Sequence, residues 1–221
     1  MNLKELTSQP KKGRPLSFDR EVALRQAMML FWEHGYEATS LNDLTSAIGI
    51  PPSSIYSAFG DKKGLFLEAI DRYLSGPVTS KSIIAHAATA RDAAHELLRA
   101  AATGFTGTDT PAGCLLASSA ISCSNAAAEV RVELARRRRG IEALLKRRII
   151  LAIRSGEMPS KSDADALAAH TMAVIQGMST LARDGAKRKK LLRLADTAML
   201  AWPEPVKNVA TGRAAGGAQA W

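Results

Sequence analysis

Cysteine is almost absent. Cys114 and Cys123 are the only two in 221 residues, too few for a disulfide scaffold and wrongly spaced for a Cys-x-x-Cys redox or metal motif. The histidines His86, His95 and His170 are scattered, with no paired spacing that would hold a metal. No apolar run approaches the ~18 residues that a membrane span needs. The first residues, Met1-Asn2-Leu3-Lys4-Glu5, lack the apolar core of a secretion signal. A soluble cytoplasmic protein without a membrane partner is therefore expected. No glycine-rich phosphate loop, nucleophile elbow or spaced carboxylate–histidine set occurs, so no enzyme class, cofactor or metal is suggested. Period-two alternation is missing as well, which argues against sheet.

What remains is a helical pattern punctuated by glycine and proline. Alanine, leucine and arginine dominate, and all three favour helix. Ser17 can cap a helix running to about His34, with Gly35 as its stop and Ala23, Leu24, Ala27, Leu30 and Phe31 on its core face. Thr39 or Ser40 starts a second helix carrying Leu41, Leu44 and Ile48, ended by Gly49. Pro51-Pro52 opens a third, to about Phe59. A fourth follows Gly60-Asp61, with Leu65, Phe66, Ala69, Ile70 and Tyr73 able to pack. Further helices are expected near 79–88, 91–105, 112–123, 126–155, 163–184 and 187–202, with Ser162 as one helix start.

Net charge is +9, yet its location weakens the obvious inference of nucleic-acid binding. Residues 16–75 hold five basic residues against eight acidic ones, and the excess sits in Lys11, Lys12 and Arg14, in Arg136 to Arg139, and in Lys187 to Lys190. Four consecutive arginines point around a whole helix circumference, so Arg136–Arg139 read as a partly ion-paired surface and not as a second binding stripe.

Geometry carries more weight than charge. Two short helices joined at Gly49-Ile50 can cross steeply, with Leu44, Ile48, Ile55 and Phe59 filling the angle. Pro52, Ser53, Ser54, Tyr56 and Ser57 are then left on the outer face of the second helix, the face that enters a major groove in a helix-turn-helix. Small hydroxyls approach base edges closely, and Tyr56 can lean on the sugar-phosphate backbone. Lys62, in the first turn of the next helix, suits a phosphate. A helical hairpin with a solvated serine-rich face accounts for the same residues. Lys11-Lys12-Gly13-Arg14-Pro15 reads either as an arm laying Arg14 into a minor groove or as an ordinary solvated terminus.

Residues 14–74 resemble the DNA-binding domain of the TetR/AcrR family of one-component regulators. The likeness rests on Arg14-Pro15, Leu30-Phe31, Gly35-Tyr36-Glu37-Ala38-Thr39-Ser40, Asp43-Leu44, Ala47, Gly49-Ile50, Ile55-Tyr56, Phe59, Lys62 and Leu65-Phe66. The resemblance implies that the third helix reads DNA and that Thr39, Tyr56 and Lys62 contact phosphates. Thr45, Pro51 and Ala58 depart from the family's usual alanine, serine or threonine cap, and histidine. The segments Gly113–Ala120 and Gln176–Gly185 resemble the effector domain of the ComR-like, copper-linked branch of the family, which implies a ligand sensor without naming the ligand.

The implied architecture is all-α. An arm (1–15) leads into a three-helix helix-turn-helix DNA-binding domain (16–60). A connecting helix (61–76), a larger helical ligand-binding and dimerisation domain (77–202) and a tail expected to be disordered (203–221) follow. Leu167, Thr171, Val174, Met178 and Leu181, with Ala169, Ala173 and Gly177 and the last-helix residues Leu191, Leu194, Ala195, Ala198 and Trp202, form a stripe that suits either a homodimer seam or intrachain core. The expected function is a repressor that responds to an unidentified small-molecule effector and binds a palindromic double-stranded operator as a homodimer. The alternative is an architectural DNA-binding protein with no ligand switch.

Overall fold

The computed structural model describes residues 18–119, 124 and 127–204. The arm with Arg14, the proposed cap Ser17, Cys123 and the tail from 205 onward lie outside them. Among the described residues there are ten α-helices and no strand. No helix there is long and apolar enough to cross a membrane.

Helix α1 (Arg20–His34) begins at Asp19, whose carboxylate accepts hydrogen bonds from the Glu21 and Val22 amides. The cap is thus Asp19, two residues later than the expected Ser17. A carboxylate there satisfies orphan amides and also meets the positive end of the helix. Helices α2 (Leu41–Ile48), α3 (Pro52–Phe59) and α4 (Lys62–Leu74) follow the expected boundaries closely. Phe31, Leu44, Ile55, Leu65, Phe66 and Ile70 have no measurable exposure, each burial contributing about 1.5–3 kcal/mol. Phe31 and Phe66 meet edge-on at 5.0 Å. Residues 61–76 therefore do more than connect, because α4 supplies one wall of this core.

The core does not end at α4. Leu115 and Leu116 of α7 (Leu115–Ser118) and Val130 and Leu134 of α8 (Ala128–Arg154) complete it. At 27 residues α8 is about 40 Å long. Its second half, through Leu145, Ile149 and Ala152, enters a separate core with α5 (Ser80–His86), α6 (Ala90–Gly104), α9 (Ala164–Arg183) and α10 (Arg188–Ala198). A 3-10 turn, Met199–Ala201, closes α10.

Two expectations are corrected here. The helix expected over 112–123 starts only at Leu115, because Gly113 has φ +83°, which a right-handed helix does not accommodate, and residues 120–123 of that expectation lie outside the described residues. The helix expected to start at Ser162 is capped by Asp163, which accepts from the Ala166 amide. The stripe on α9 resolves as intrachain core: Leu167, Thr171 and Met178 are buried, and so are Leu191, Ala195, Ala198 and Trp202. The small residues Ala169, Ala173 and Gly177 lie on the opposite, exposed face.

Candidate nucleic-acid interface and the cavity behind it

The turn between α2 and α3 is set from both sides. Ser40 and Asp43 form a reciprocal capping box at the start of α2. Gly49 ends that helix in the left-handed region at φ 74°, and its amide reaches the Thr45 carbonyl. Pro51 then occupies the cap of α3 without any side-chain hydrogen bond, so the recognition helix lacks a capping interaction typically worth about 1 kcal/mol. Packing compensates: Ile55 and Phe59 are buried against Leu44, and Ile48 is half-buried.

The expected outer face of α3 is where the sequence places it. Pro52, Ser53, Tyr56 and Ser57 are exposed, Tyr56 by 52%, and Ser54 is half-buried. Ala58 turns inward, and its carbonyl accepts from Arg20, which also stacks on the Phe59 ring at 4.5 Å and pairs with Glu68. Arg20 thereby clamps the C-terminus of α3 to α1 and α4.

Thr39 and Lys62 do not simply face solvent. Thr39 has no exposed surface, and its hydroxyl donates to the Gly35 carbonyl at 2.7 Å. That geometry makes it a brace for the α1–α2 turn. The Lys62 ammonium lies 4.5 Å from the centre of the Tyr36 ring and 3.5 Å from the Glu37 carbonyl. Burial pulls its pKa below the usual lysine value, and the Glu37 and Asp43 carboxylates oppose that pull. The free amides expected at the α4 N-terminus are partly taken, since the Asp61 side chain accepts from the Gly64 amide at 2.6 Å. Arg14 lies outside the described residues.

Gly64 carries a constraint that its sequence context hides. A Cβ on it would sit 2.1 Å from the Phe59 carbonyl oxygen. The start of α4 thus passes directly against the end of the recognition helix.

Behind this interface lies a cavity of about 260 Å³. Trp32 of α1 and Tyr73 of α4 form one side, meeting edge-on at 4.9 Å. Leu97, Phe105, Ile141, Met172 and Ile175 supply apolar walls, and Arg138 and Gln176 the polar ones. Cys114 also lines it and accepts a hydrogen bond from the Tyr73 hydroxyl at 3.3 Å. Burial raises the pKa of both the Cys114 thiol and the Tyr73 phenol, the latter strongly. Both are neutral acids near pH 7. Among the described residues no three histidine, cysteine or acidic side chains cluster to hold a metal ion.

The cavity wall is tied to α1 by specific bonds. Trp32 Nε1 donates to the Gly113 carbonyl at 3.2 Å, and the Cys114 amide donates to Ser179 Oγ at 2.8 Å. Arg183 of α9 reaches the Trp32 and Glu33 carbonyls at 3.1 and 2.9 Å, a cation on the negative end of α1. Trp32 and Arg138 carry no sequence signal for this site, and Gly113 and Arg183 stand out only as parts of the segments that resemble an effector domain. The local signal at Gly113, its place between Pro111 and an apolar run, reads only as a turn.

Two family models match the chain. Residues 23–69 match "Bacterial regulatory proteins, tetR family", and residues 84–197 match "Tetracyclin repressor-like, C-terminal domain". The HTH-type transcriptional repressor ComR of Escherichia coli (strain K12) is 37% identical over 198 residues, spanning 89% of this chain and 94% of ComR. BdcR, an HTH-type transcriptional repressor of the same organism, is 32% identical over 105 residues, covering 47% of this chain and 53% of BdcR. Among solved structures, a cysteine mutant of the TetR family regulator CifR complexed with 26-bp double-strand operator DNA superposes with a TM-score of 0.82. It is 37% identical, and the match covers 86% of this chain and 100% of that one. With both halves matched, and with α2, Gly49 and α3 arranged as a helix-turn-helix, this chain belongs to the TetR family of bacterial transcriptional regulators, a family of regulators and not of enzymes.

Proposed function

We propose that this chain is a ligand-responsive transcriptional repressor that binds a palindromic operator as a homodimer. The observation that carries the reading is the α2–α3 pair: Leu44, Ile55 and Phe59 are buried, so Ser53, Ser54, Tyr56 and Ser57 are left facing outward on a helix of groove-entering size. Similarity to CifR, solved on operator DNA, and to the repressor ComR supports the same reading. In this proposal Ser53, Ser54 and Ser57 approach base edges and phosphates, and Tyr56 leans on the backbone. Lys62 swings from the Tyr36 ring to a phosphate, Arg14 enters the minor groove from the arm, and Thr39 contributes through the turn it braces. The protein acts in the cytoplasm.

The dimer forms through the exposed face of α9, where Ala166, Ala169, Ala173 and Gly177 permit close helix approach, with the outer side of α10 beside it. A continuous exposed apolar stripe is not required, because small residues let backbones meet directly. Leu200, 83% exposed, adds apolar surface near the end of the same bundle. An effector in the cavity between Trp32, Tyr73 and Ile175 shifts the population toward a dimer whose recognition helices no longer match successive major grooves about 34 Å apart. Selection of bound fragments from a random DNA pool, followed by footprinting, tests the proposal. A palindromic site supports it, whereas recovery of no enriched sequence favours an architectural DNA-binding protein.

A further inference from the structure

Among the described residues Arg138 is the one cation on the cavity wall. Elsewhere in the arginine run Arg136 pairs with Glu133, and Arg137 with Glu133 and Asp71, while Arg139 is exposed to solvent and does not line the cavity. Arg138 pairs with no carboxylate among the described residues, and its guanidinium makes one hydrogen bond there, to the Leu116 carbonyl at 2.7 Å. The remaining residues of the chain include a single acidic side chain, Glu5.

A guanidinium has five N–H donors in a planar fork, so among the described residues most of this one's capacity is unspent. It is half-buried, where water compensates it less than at the surface. Arg138 also borders a second, larger cleft of about 500 Å³, lined by polar groups such as His34, Ser179 and Asp184, which shares Ala117, Arg138 and Gln176 with the first cavity. Arg138 and Gln176 therefore stand on the wall shared by a more polar cleft and a mainly apolar chamber. Asp184 lines the larger cleft without pairing with Arg138. Inside the chamber the other ionisable groups, Tyr73 and Cys114, are neutral acids that hydrogen-bond each other.

We infer that the effector is a small organic carboxylate with an aromatic or short aliphatic body, held at its charged end by Arg138 and Gln176 and at its apolar end between Trp32, Phe105 and Ile175. This assignment rests on the reading of the cavity as the effector site. A carboxylate matches the guanidinium fork with two parallel charge-assisted hydrogen bonds. The chamber, at about 260 Å³, is near the small end of ligand sites, which favours a body of one ring or one short chain.

The test uses the full chain and pairs each acid with its neutral isostere: benzoate against benzamide, and hexanoate against hexanamide, titrated by calorimetry. At least one acid binds about tenfold or more tightly than its amide, as a charge-assisted pair implies. In Arg138→Gln the two come within about twofold of each other, while Arg138→Lys keeps a partial preference. Equal affinity of acid and amide in the unaltered protein overturns the assignment, as does binding of neither acid. A preference that survives in a folded Arg138→Gln overturns it too. The acid–amide comparison stands even if that variant fails to fold. Operator binding measured on the same protein without probes is a separate readout: a chain that selects an operator yet ignores carboxylates loses this assignment and keeps the regulator reading.

Discussion

Replacing Gly64 by alanine opposes two well-known effects and lets the structure decide between them. Alanine favours a helix over glycine by about 1 kcal/mol in an interior position, and Gly64 lies in the first turn of α4, where the gain is smaller. Against it stands a Cβ placed 2.1 Å from the Phe59 carbonyl oxygen and 3.3 Å from its carbon. Backbone atoms cannot rotate away as a side chain does, so α4 must retreat from α3 or tilt. Overpacking of this kind costs about 1–3 kcal/mol, and the Asp61–Gly64 cap at 2.6 Å is strained by the same movement. The net expectation is a loss of about 1–2 kcal/mol, read as a lower urea midpoint at unchanged slope. Operator affinity falls with it, because Phe59 ends the recognition helix. A variant as stable as the parent, or more stable, refutes the close approach and with it the account of how α4 fixes α3.

Further outcomes follow from single interactions. Asp19→Ala removes the α1 cap and lowers stability by about 0.5–2 kcal/mol, measured by denaturant unfolding; no change would mean that the helix start is held otherwise. Glu133, gripped by Arg136 and Arg137, has a pKa lowered from 4.5 to about 2. Its contribution is fully present above pH 4.5 and is lost as pH falls toward 2, so Glu133→Gln flattens the acid limb of the stability profile, and identical limbs count against the pair. Deleting residues 1–15 weakens operator binding and reduces the slope of log affinity against log salt by about 0.9 for each phosphate that the arm neutralises; binding unchanged at two salt concentrations removes the arm from the mechanism. Ala173→Arg on the exposed face of α9 converts the proposed dimer to monomers in sedimentation experiments; an unaltered sedimentation coefficient counts against an interface on this face.

The sequence was most legible where one residue type has one physical use. Gly49 reads as a left-handed helix stop and is one, at φ 74°. The period of Leu44, Ile55 and Phe59 points inward, and those residues are buried. Caps were less legible, since Ser17, Asp19 and Ser162, Asp163 are close rivals that only backbone geometry separates. The α9 stripe was undecidable in principle. An apolar helix face buries itself equally well against its own chain or a partner, and here Leu167 and Met178 chose α6 and its neighbours. The cavity was legible only in part: Gly113–Ala120 and Gln176–Gly185 resemble an effector domain, but the rest of its wall comes from distant segments. Trp32 and Arg138 are 106 positions apart, and no local pattern links them.

The placement of that cavity constrains how a signal can reach DNA. Its wall is not confined to the C-terminal helices, because Trp32 belongs to α1 and Tyr73 to α4, the two helices that hold α3. Trp32 is fixed at both ends, by Gly113 through its indole nitrogen and by Arg183 through its carbonyl. Gly113 has little freedom, since a Cβ there would meet the Ser179 carbonyl and the Arg183 side chain at 2.9 Å. Rigid packing transmits displacement instead of absorbing it. A molecule that widens the space between Trp32 and Ile175 therefore strains the Trp32–Gly113 and Arg183 hydrogen bonds that hold α1, the helix against which α2 packs. If the proposed effector occupies this cavity, coupling through α1 and α4 needs no long relay, because the cavity wall and the scaffold that holds α3 share these two helices.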